Sequence, residues 1–153
     1  LWAHWASHRD SWYAMMDQLH SALPGYLLGE TYPSSDCGAR CMVYPPKASR
    51  TPTSNWIVVG CVSLLAPVYF VYGVELDDIG GRLRNPRASF ESLPSEVDKL
   101  AITVARTIET VLGYKLLPRE IAETPVPLFA GDIEPPETTL FHVLFTNDPS
   151  NIP

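Results

Sequence analysis

Charged residues are scarce in this sequence, and basic ones are scarcer than acidic ones. Asp, Glu, Lys and Arg make up 18% of its 153 residues, and 17 acidic against 11 basic side chains give a formal net charge of −6. A negative surface repels the phosphate backbone of nucleic acids, which proteins bind through Lys and Arg. The composition therefore argues against nucleic acid as a partner and favours a basic protein.

Cysteine is scarce as well, and no CxxC pair occurs. Cys37, Cys41 and Cys61 form an odd set, which is typical of a reducing compartment, or of one disulfide with a free thiol. Cys37 and Cys41 lack the second ligand pair of a zinc ribbon, and no HExxH pattern occurs, so we expect neither a metal nor a cofactor. No basic segment followed by an apolar run opens the sequence, which favours a cytoplasmic protein without a signal peptide.

Motifs for catalysis are also missing. The sequence has no GxSxG, no convincing SxxK, no cysteine with an evident histidine partner and no phosphate-binding GxxxxGKS, so we expect no catalytic residues. His142 leaves an alternative open. It is either a core histidine bonded to the backbone, or it lines a pocket with an acid such as Glu75 or Asp77, as in a small enzyme or ligand-binding domain.

The most informative stretch that is present is a long apolar one. Residues 51–74 contain no charged side chain, and residues 56–74 are long enough to span a bilayer. Ala66 and Pro67 interrupt the run, and β-branched and aromatic residues dominate it, which favours two buried strands joined by a short turn. A membrane anchor formed by residues 56–74 is the alternative.

Two helices are predicted. Residues 95–112 place apolar side chains on one face, with Ser95 and Asp98 as a start signal and Gly113 as a stop. An earlier helix begins with Ser7 as its cap, carries an apolar stripe and ends before Pro24. The sequence does not determine the role of Trp2 and Trp5, which precede that cap.

The remaining elements complete a single α+β domain over residues 1–153. We expect a short strand at residues 40–44 near a sheet edge, a short helix beginning at Pro118, and a strand over residues 139–146 that includes His142. Residues 26–35 and 80–87 are predicted to be loops. The fold class is thus α+β, with a mixed or antiparallel sheet of about four strands and two main helices packed mostly on one face.

Acidic residues gather in two places, each at the end of an apolar segment. Such clusters form either solvated strand ends or a contact surface for a basic protein, because complementary charge speeds encounter and selects partners. Neither cluster has the spacing of a calcium loop. The candidate partner-binding residues are Glu75, Asp77 and Asp78 in the first cluster and Asp132, Glu134 and Glu137 in the second.

Three stretches of the sequence resemble small acidic bacterial proteins of the immunity type, which bind and neutralise a toxin encoded beside them. They are residues 23–26, residues 113–121, and the segment from Thr139 to Asp148. The resemblance implies a non-catalytic protein-binding domain whose partner is a toxin, for which a basic nuclease would be one instance.

Overall fold

The computed structural model describes residues 2–32 and 36–153, with side chains from Ser7 onward. A mixed six-stranded sheet forms its centre, with strands in the order β1-β2-β3-β4-β5 and each neighbouring pair antiparallel, while β6 runs parallel to β4. The helices are α1 (Trp2–Ala22), α2 (Ser95–Leu112), α3 (Arg119–Ala122) and α4 (Leu140–Leu144). The strands are β1 (Leu27–Thr31), β2 (Gly38–Tyr44), β3 (Asn55–Ser63), β4 (Val68–Ile79), β5 (Arg82–Ser89) and β6 (Lys115–Leu116). The α+β class is confirmed, but the sheet has more strands than the four expected.

The charge-free stretch forms the predicted central hairpin. β3 and β4 pair in the register Trp56↔Glu75 to Val62↔Tyr69, and the chain turns just before Val68. Residues 56–74 therefore belong to two strands and not to one membrane-spanning segment. In the described part of the chain, no helix has the length and apolar character needed to cross a bilayer.

Helix α2 has the predicted bounds and lies across this hairpin. Gly113 ends it in the left-handed conformation at φ 69°, as a glycine cap does. Ser95 is the first helical residue and not the cap, a position that Pro94 holds. Gly60 of β3 allows the close approach, since a methyl group there would lie 2.7 Å from a Val104 methyl group.

Helix α1 packs beside α2, but it begins earlier than expected. It starts at Trp2, so Ser7 lies inside it and the predicted cap is wrong. The apolar stripe is confirmed, because Trp12, Met15 and Leu19 are fully buried against the sheet. The side chains of Trp2 and Trp5 fall outside the described residues.

Two segments predicted as loops contain strands, β1 within residues 26–35, of which residues 33–35 lie outside the described part, and β5 from residue 82 onward. β1 lies at the sheet edge, which makes β2 an interior strand and corrects its predicted edge position. β5 pairs with β4 through a two-glycine turn in which Gly80 and Gly81 both have positive φ, as a type I′ hairpin requires. Sequence patterns miss β5 because most of its side chains are exposed and polar, so only its backbone pairing makes it a strand.

The predicted strand at residues 139–146 is wrong, since α4 occupies its centre. Phe141 and Phe145 are both fully buried and lie four residues apart, which brings them to the same side of a helical turn. They pack with Phe70, Tyr72 and Phe90 on the sheet face opposite α1 and α2. The two main helices thus cover one face of the sheet, as expected, while α3, α4 and the last residues cover the other. Helix α3 confirms the short helix expected at Pro118.

Candidate functional site

The structure places the two predicted acidic clusters at opposite ends of the sheet. At one end of β3, Asn55 pairs with Leu76, beside the first cluster. At the other end, Ser63 pairs with Gly38. Asp36 and Cys37, just before Gly38, line a cavity with residues 129–131, which precede the second cluster. At about 3.3 Å per residue, the length of β3 separates these ends by roughly 25 Å. The six candidate residues therefore do not form one surface.

The first cluster already has partners within the β4–β5 hairpin, with one guanidinium shared by two of its three carboxylates. The Arg87 guanidinium lies 3.5 Å from the Glu75 carboxylate and 3.1 Å from that of Asp77. Hydrogen bonds from Arg87 and then Asn85 hold the pKa of Asp77 below its usual value. Asp78 accepts the Gly81 N–H at 2.8 Å and so stabilises the turn. These carboxylates have structural partners already.

The second cluster lies on the segment between α3 and α4, residues 123–139, which we call the acidic loop. Asp132, Glu134 and Glu137 are all exposed on it. Each ion pair found in residues 2–32 and 36–153 involves other carboxylates, so these three have no cationic partner there. Their charge faces solvent.

The distribution of charge along the chain adds to this difference between the two acidic clusters. All 11 basic residues lie within residues 1–119, where 11 acidic residues balance them. The other six acidic residues lie in residues 120–153, which contain no Lys or Arg. The whole net charge of −6 therefore falls on the C-terminal segment that includes the acidic loop.

Large apolar side chains are exposed beside these carboxylates. Phe129 is 71% exposed and Leu128 is 51% exposed, and Phe129 is the most exposed large apolar residue in the described part of the chain. Neighbouring apolar side chains that are exposed and flanked by polar residues occur at protein-binding sites. The structure thus adds Phe129, an exposed aromatic residue that sequence reasoning missed, to the candidate residues of this loop.

The acidic loop is ordered by its own backbone. Ala130 and Ile133 exchange two hydrogen bonds of 3.1 Å around a two-residue turn, in which Gly131 has φ 60°. The buried Thr138 hydroxyl donates to the Ile133 carbonyl at 3.0 Å, and the Val126 N–H donates to the Thr138 carbonyl at 2.9 Å. These bonds hold the loop backbone in one conformation, and an ordered backbone is a feature that lowers the entropy cost of association where a surface binds a partner.

A cavity of about 230 Å³ lies beside Phe129. Its lining residues come from the segment before β2, from the acidic loop and from α4 with the residues after it: Asp36, Cys37, Phe129, Ala130, Gly131, His142, Val143 and Asn147. The predicted pocket at His142 is therefore present as a cavity. Its predicted acidic partners are wrong, however, because Glu75 and Asp77 lie at the far end of the sheet.

His142 has a defined tautomer. Its Nδ1 accepts the Thr139 N–H at 3.1 Å and lies 3.0 Å from the Thr139 hydroxyl. A backbone N–H only donates, so Nδ1 carries no proton and the neutral ring is protonated at Nε2. Burial lowers the pKa of His142, and protonation would also remove this acceptor. The imidazole is therefore neutral at pH 7.

The cysteines show no sign of activation. Cys37 shares the cavity with His142, but no hydrogen bond joins the two, and burial followed by the charge of Asp36 raises the pKa of its thiol. Cys41 and Cys61 are buried on opposite faces of the sheet, and burial raises the pKa of both, that of Cys41 to about 12. All three thiols are free, and the described residues contain no cluster of three or more potential metal ligands.

Two signals in the sequence point to this site. One is the complete absence of Lys and Arg after Arg119. The other is the isolated pair Leu128 and Phe129 between Pro127 and Gly131, which belongs to no helical or alternating pattern and so has no place in a predicted core. Comparison with known proteins adds no relative: no protein-family model, no curated protein and no solved structure matches this chain.

Proposed function

We propose that this chain is a non-catalytic protein-binding domain of the immunity type, which neutralises a basic toxin through the acidic loop. The observation that carries the proposal is Phe129, 71% exposed on the same ordered loop as Asp132, Glu134 and Glu137. An aromatic anchor supplies affinity at the centre of an interface, while surrounding charge sets the rate of encounter and the choice of partner.

The charges around the two acidic clusters favour the second as the contact for a basic partner. Glu75 and Asp77 share Arg87, so a basic partner would have to displace an existing ion pair there. On the acidic loop the carboxylates have no such competitor, and residues 120–153 contribute no positive charge that would repel a partner. Long-range attraction therefore guides a basic partner to this end of the molecule.

The test uses the protein encoded by the reading frame next to the gene. Co-expression should protect a host cell from the toxicity of that protein, and calorimetry should give a tight complex. Phe129→Ala should weaken binding about thirtyfold, which corresponds to roughly 2 kcal/mol for a central aromatic anchor. Leu27→Ala is the matched control, since Leu27 is 65% exposed at the opposite end of the sheet and should leave the affinity unchanged.

A charge test separates specific contact from general attraction. Neutralising Asp132, Glu134 and Glu137 to the amides should slow association about tenfold at low salt and flatten its salt dependence. Neutralising Asp10, Asp17 and Glu96 raises the net charge by the same three units at other exposed positions and should change the rate far less. A neighbouring protein that is harmless and unbound, or equal effects of the two triple variants, would overturn the proposal.

The cavity supports a second candidate, a domain that binds a small ligand beside His142. His142 Nε2–H and the Asn147 amide are polar groups in a lining that also contains Phe129 and Val143. A ligand found in the purified protein by mass spectrometry and lost from Val143→Trp, which fills the cavity, would favour this candidate. Retention of toxin neutralisation by Val143→Trp would favour the first.

A further inference from the structure

We propose that the neutral ring of His142 is a pH-sensitive lock on the acidic loop, so that its protonation loosens the loop and weakens partner binding. The proposal rests on the proposed function for its binding consequence, but the lock itself is a property of this chain alone.

The lock is the capping box at the start of α4. Thr139 is the N-cap and His142 the third helical residue, whose ring accepts the Thr139 N–H at 3.1 Å. A capping box ordinarily uses Glu or Gln at this position, and those side chains accept a hydrogen bond at any neutral pH. An imidazole accepts only while it is neutral. A histidine at this position therefore makes the helix cap sensitive to pH, whereas Glu or Gln would not.

Thr139 is also the point at which the acidic loop closes. It pairs with Pro125 in an isolated β-bridge, and the next residue, Leu140, donates its N–H to the Thr124 carbonyl at 2.9 Å. His142 lines the same cavity as Phe129 and Gly131, so the ring and the tip of the loop face the same space. The ring thus bonds directly to the residue at which the loop closes.

Protonation of His142 removes the hydrogen bond that its ring accepts from the Thr139 N–H. With a proton on Nδ1, the ring becomes a donor that faces the Thr139 N–H, another donor, so that bond is lost, and the Thr139 hydroxyl, 3.0 Å away, is the group that can still accept from the ring. The stabilising bond is complete above the ordinary histidine pKa of 6.5 and is lost as the pH falls below it toward the lower pKa of the folded state. Loosening of the loop should follow the same window.

The charges around His142 allow this behaviour. Asp36 and Cys37 line the cavity with it, and the Asp36 carboxylate lies 3.7 Å from Arg40, which offsets its charge. On the acidic loop, Asp132, Glu134 and Glu137 are exposed, so solvent screens them. Within α4 itself, Phe141 contacts the ring edge-on at a centroid distance of 5.9 Å. Burial therefore dominates over attraction to a carboxylate.

The test measures hydrogen exchange and does not need a partner. Protection of the amides of residues 126–139, corrected for intrinsic rates, should fall about fivefold between pH 7.5 and pH 5.5, the effect of losing one helix cap. His142→Gln keeps an acceptor at every pH and should abolish the pH dependence, whereas His20→Gln, at an exposed position of α1, should not. Nitrogen chemical shifts should assign the Nε2–H tautomer to His142 at pH 7.5.

Two results would overturn the lock: an Nδ1–H tautomer, or loop protection that depends on pH equally in the wild type and His142→Gln. Partner affinity should fall over the same pH range in the wild type only. If exchange behaves as expected while Phe129→Ala leaves partner binding intact, the lock stands and the acidic loop is not the contact, so the two proposals fail separately.

Discussion

The close approach of α2 to the sheet depends on Gly60, and Gly60→Ala tests it. A methyl group at this position would lie 2.7 Å from a Val104 methyl carbon, 3.0 Å from the Cys41 sulfur and 3.1 Å from the Ile108 methyl carbon. Those three side chains are fully buried, so none can swing into solvent. The helix has to move outward, or its side chains have to leave their rotamers.

The expected magnitude follows from overpacking. Forcing a methyl group into a filled core costs about 1–3 kcal/mol, and we expect about 2 kcal/mol here. For a domain of this size that corresponds to a lower melting temperature by about 4–8 °C. The sign of the stability change identifies the cause, because replacing glycine by alanine inside a strand otherwise stabilises a protein by about 0.5–1 kcal/mol.

Urea denaturation of four proteins gives the decisive comparison: wild type, Gly60→Ala, Val104→Ala and the double variant. Removing the Val104 methyl groups makes room for the new one, so the double variant should be more stable than the sum of the single effects by about 1 kcal/mol. Gly29→Ala in β1 is a milder comparison, since its nearest new contact, at 2.9 Å, is a ring carbon of Tyr44, which is half-buried and can shift, and the next, at 3.3 Å, is the end of the flexible Met42 side chain. A stable Gly60→Ala, or additive effects, would refute the packing of α2 described above.

Two further predictions concern buried groups. A thiol reagent should modify the half-buried Cys37 first in the native protein, whereas Cys41 and Cys61, both about 1% exposed or less, should react only on unfolding. Equally fast reaction of all three would contradict the burial of the two strand positions. Arg40→Met should destabilise the protein by about 2–3 kcal/mol in urea, because this buried guanidinium donates to carbonyls of the C-terminal segment and pairs with a carboxylate. Arg84→Met, at an exposed position of β5, should change stability by less than about 0.5 kcal/mol.

The elements that the sequence predicted well are those whose own residues contain the signal. The charge-free stretch interrupted by Pro67 became the central hairpin, and the apolar face of residues 95–112 followed by Gly113 became α2 with the expected bounds. Periodicity and backbone chemistry are local properties, so they remain readable without knowledge of the fold.

The errors arose where pairing or packing decides the structure. β1 and β5 are strands because β2 and β4 offer them unpaired backbone groups, while their side chains give little sign of it. Residues 139–146 contain an apolar run that suits either a strand or a helix, and the burial of Phe141 and Phe145 on the same side selects the helix. Propensity is a weak guide in such segments because tertiary contacts override it.

The sequence by itself determined the α+β class, the hairpin, the main helix and the excess of negative charge. Only the tertiary structure decided which carboxylates are available. Arg87 is ten residues or more from Glu75 and Asp77 along the chain, and the β4–β5 pairing alone brings it to them. The same folding leaves Asp132, Glu134 and Glu137 exposed on the loop that contains Phe129, because this loop bonds largely to its own backbone and no basic residue follows Arg119 to pair with them.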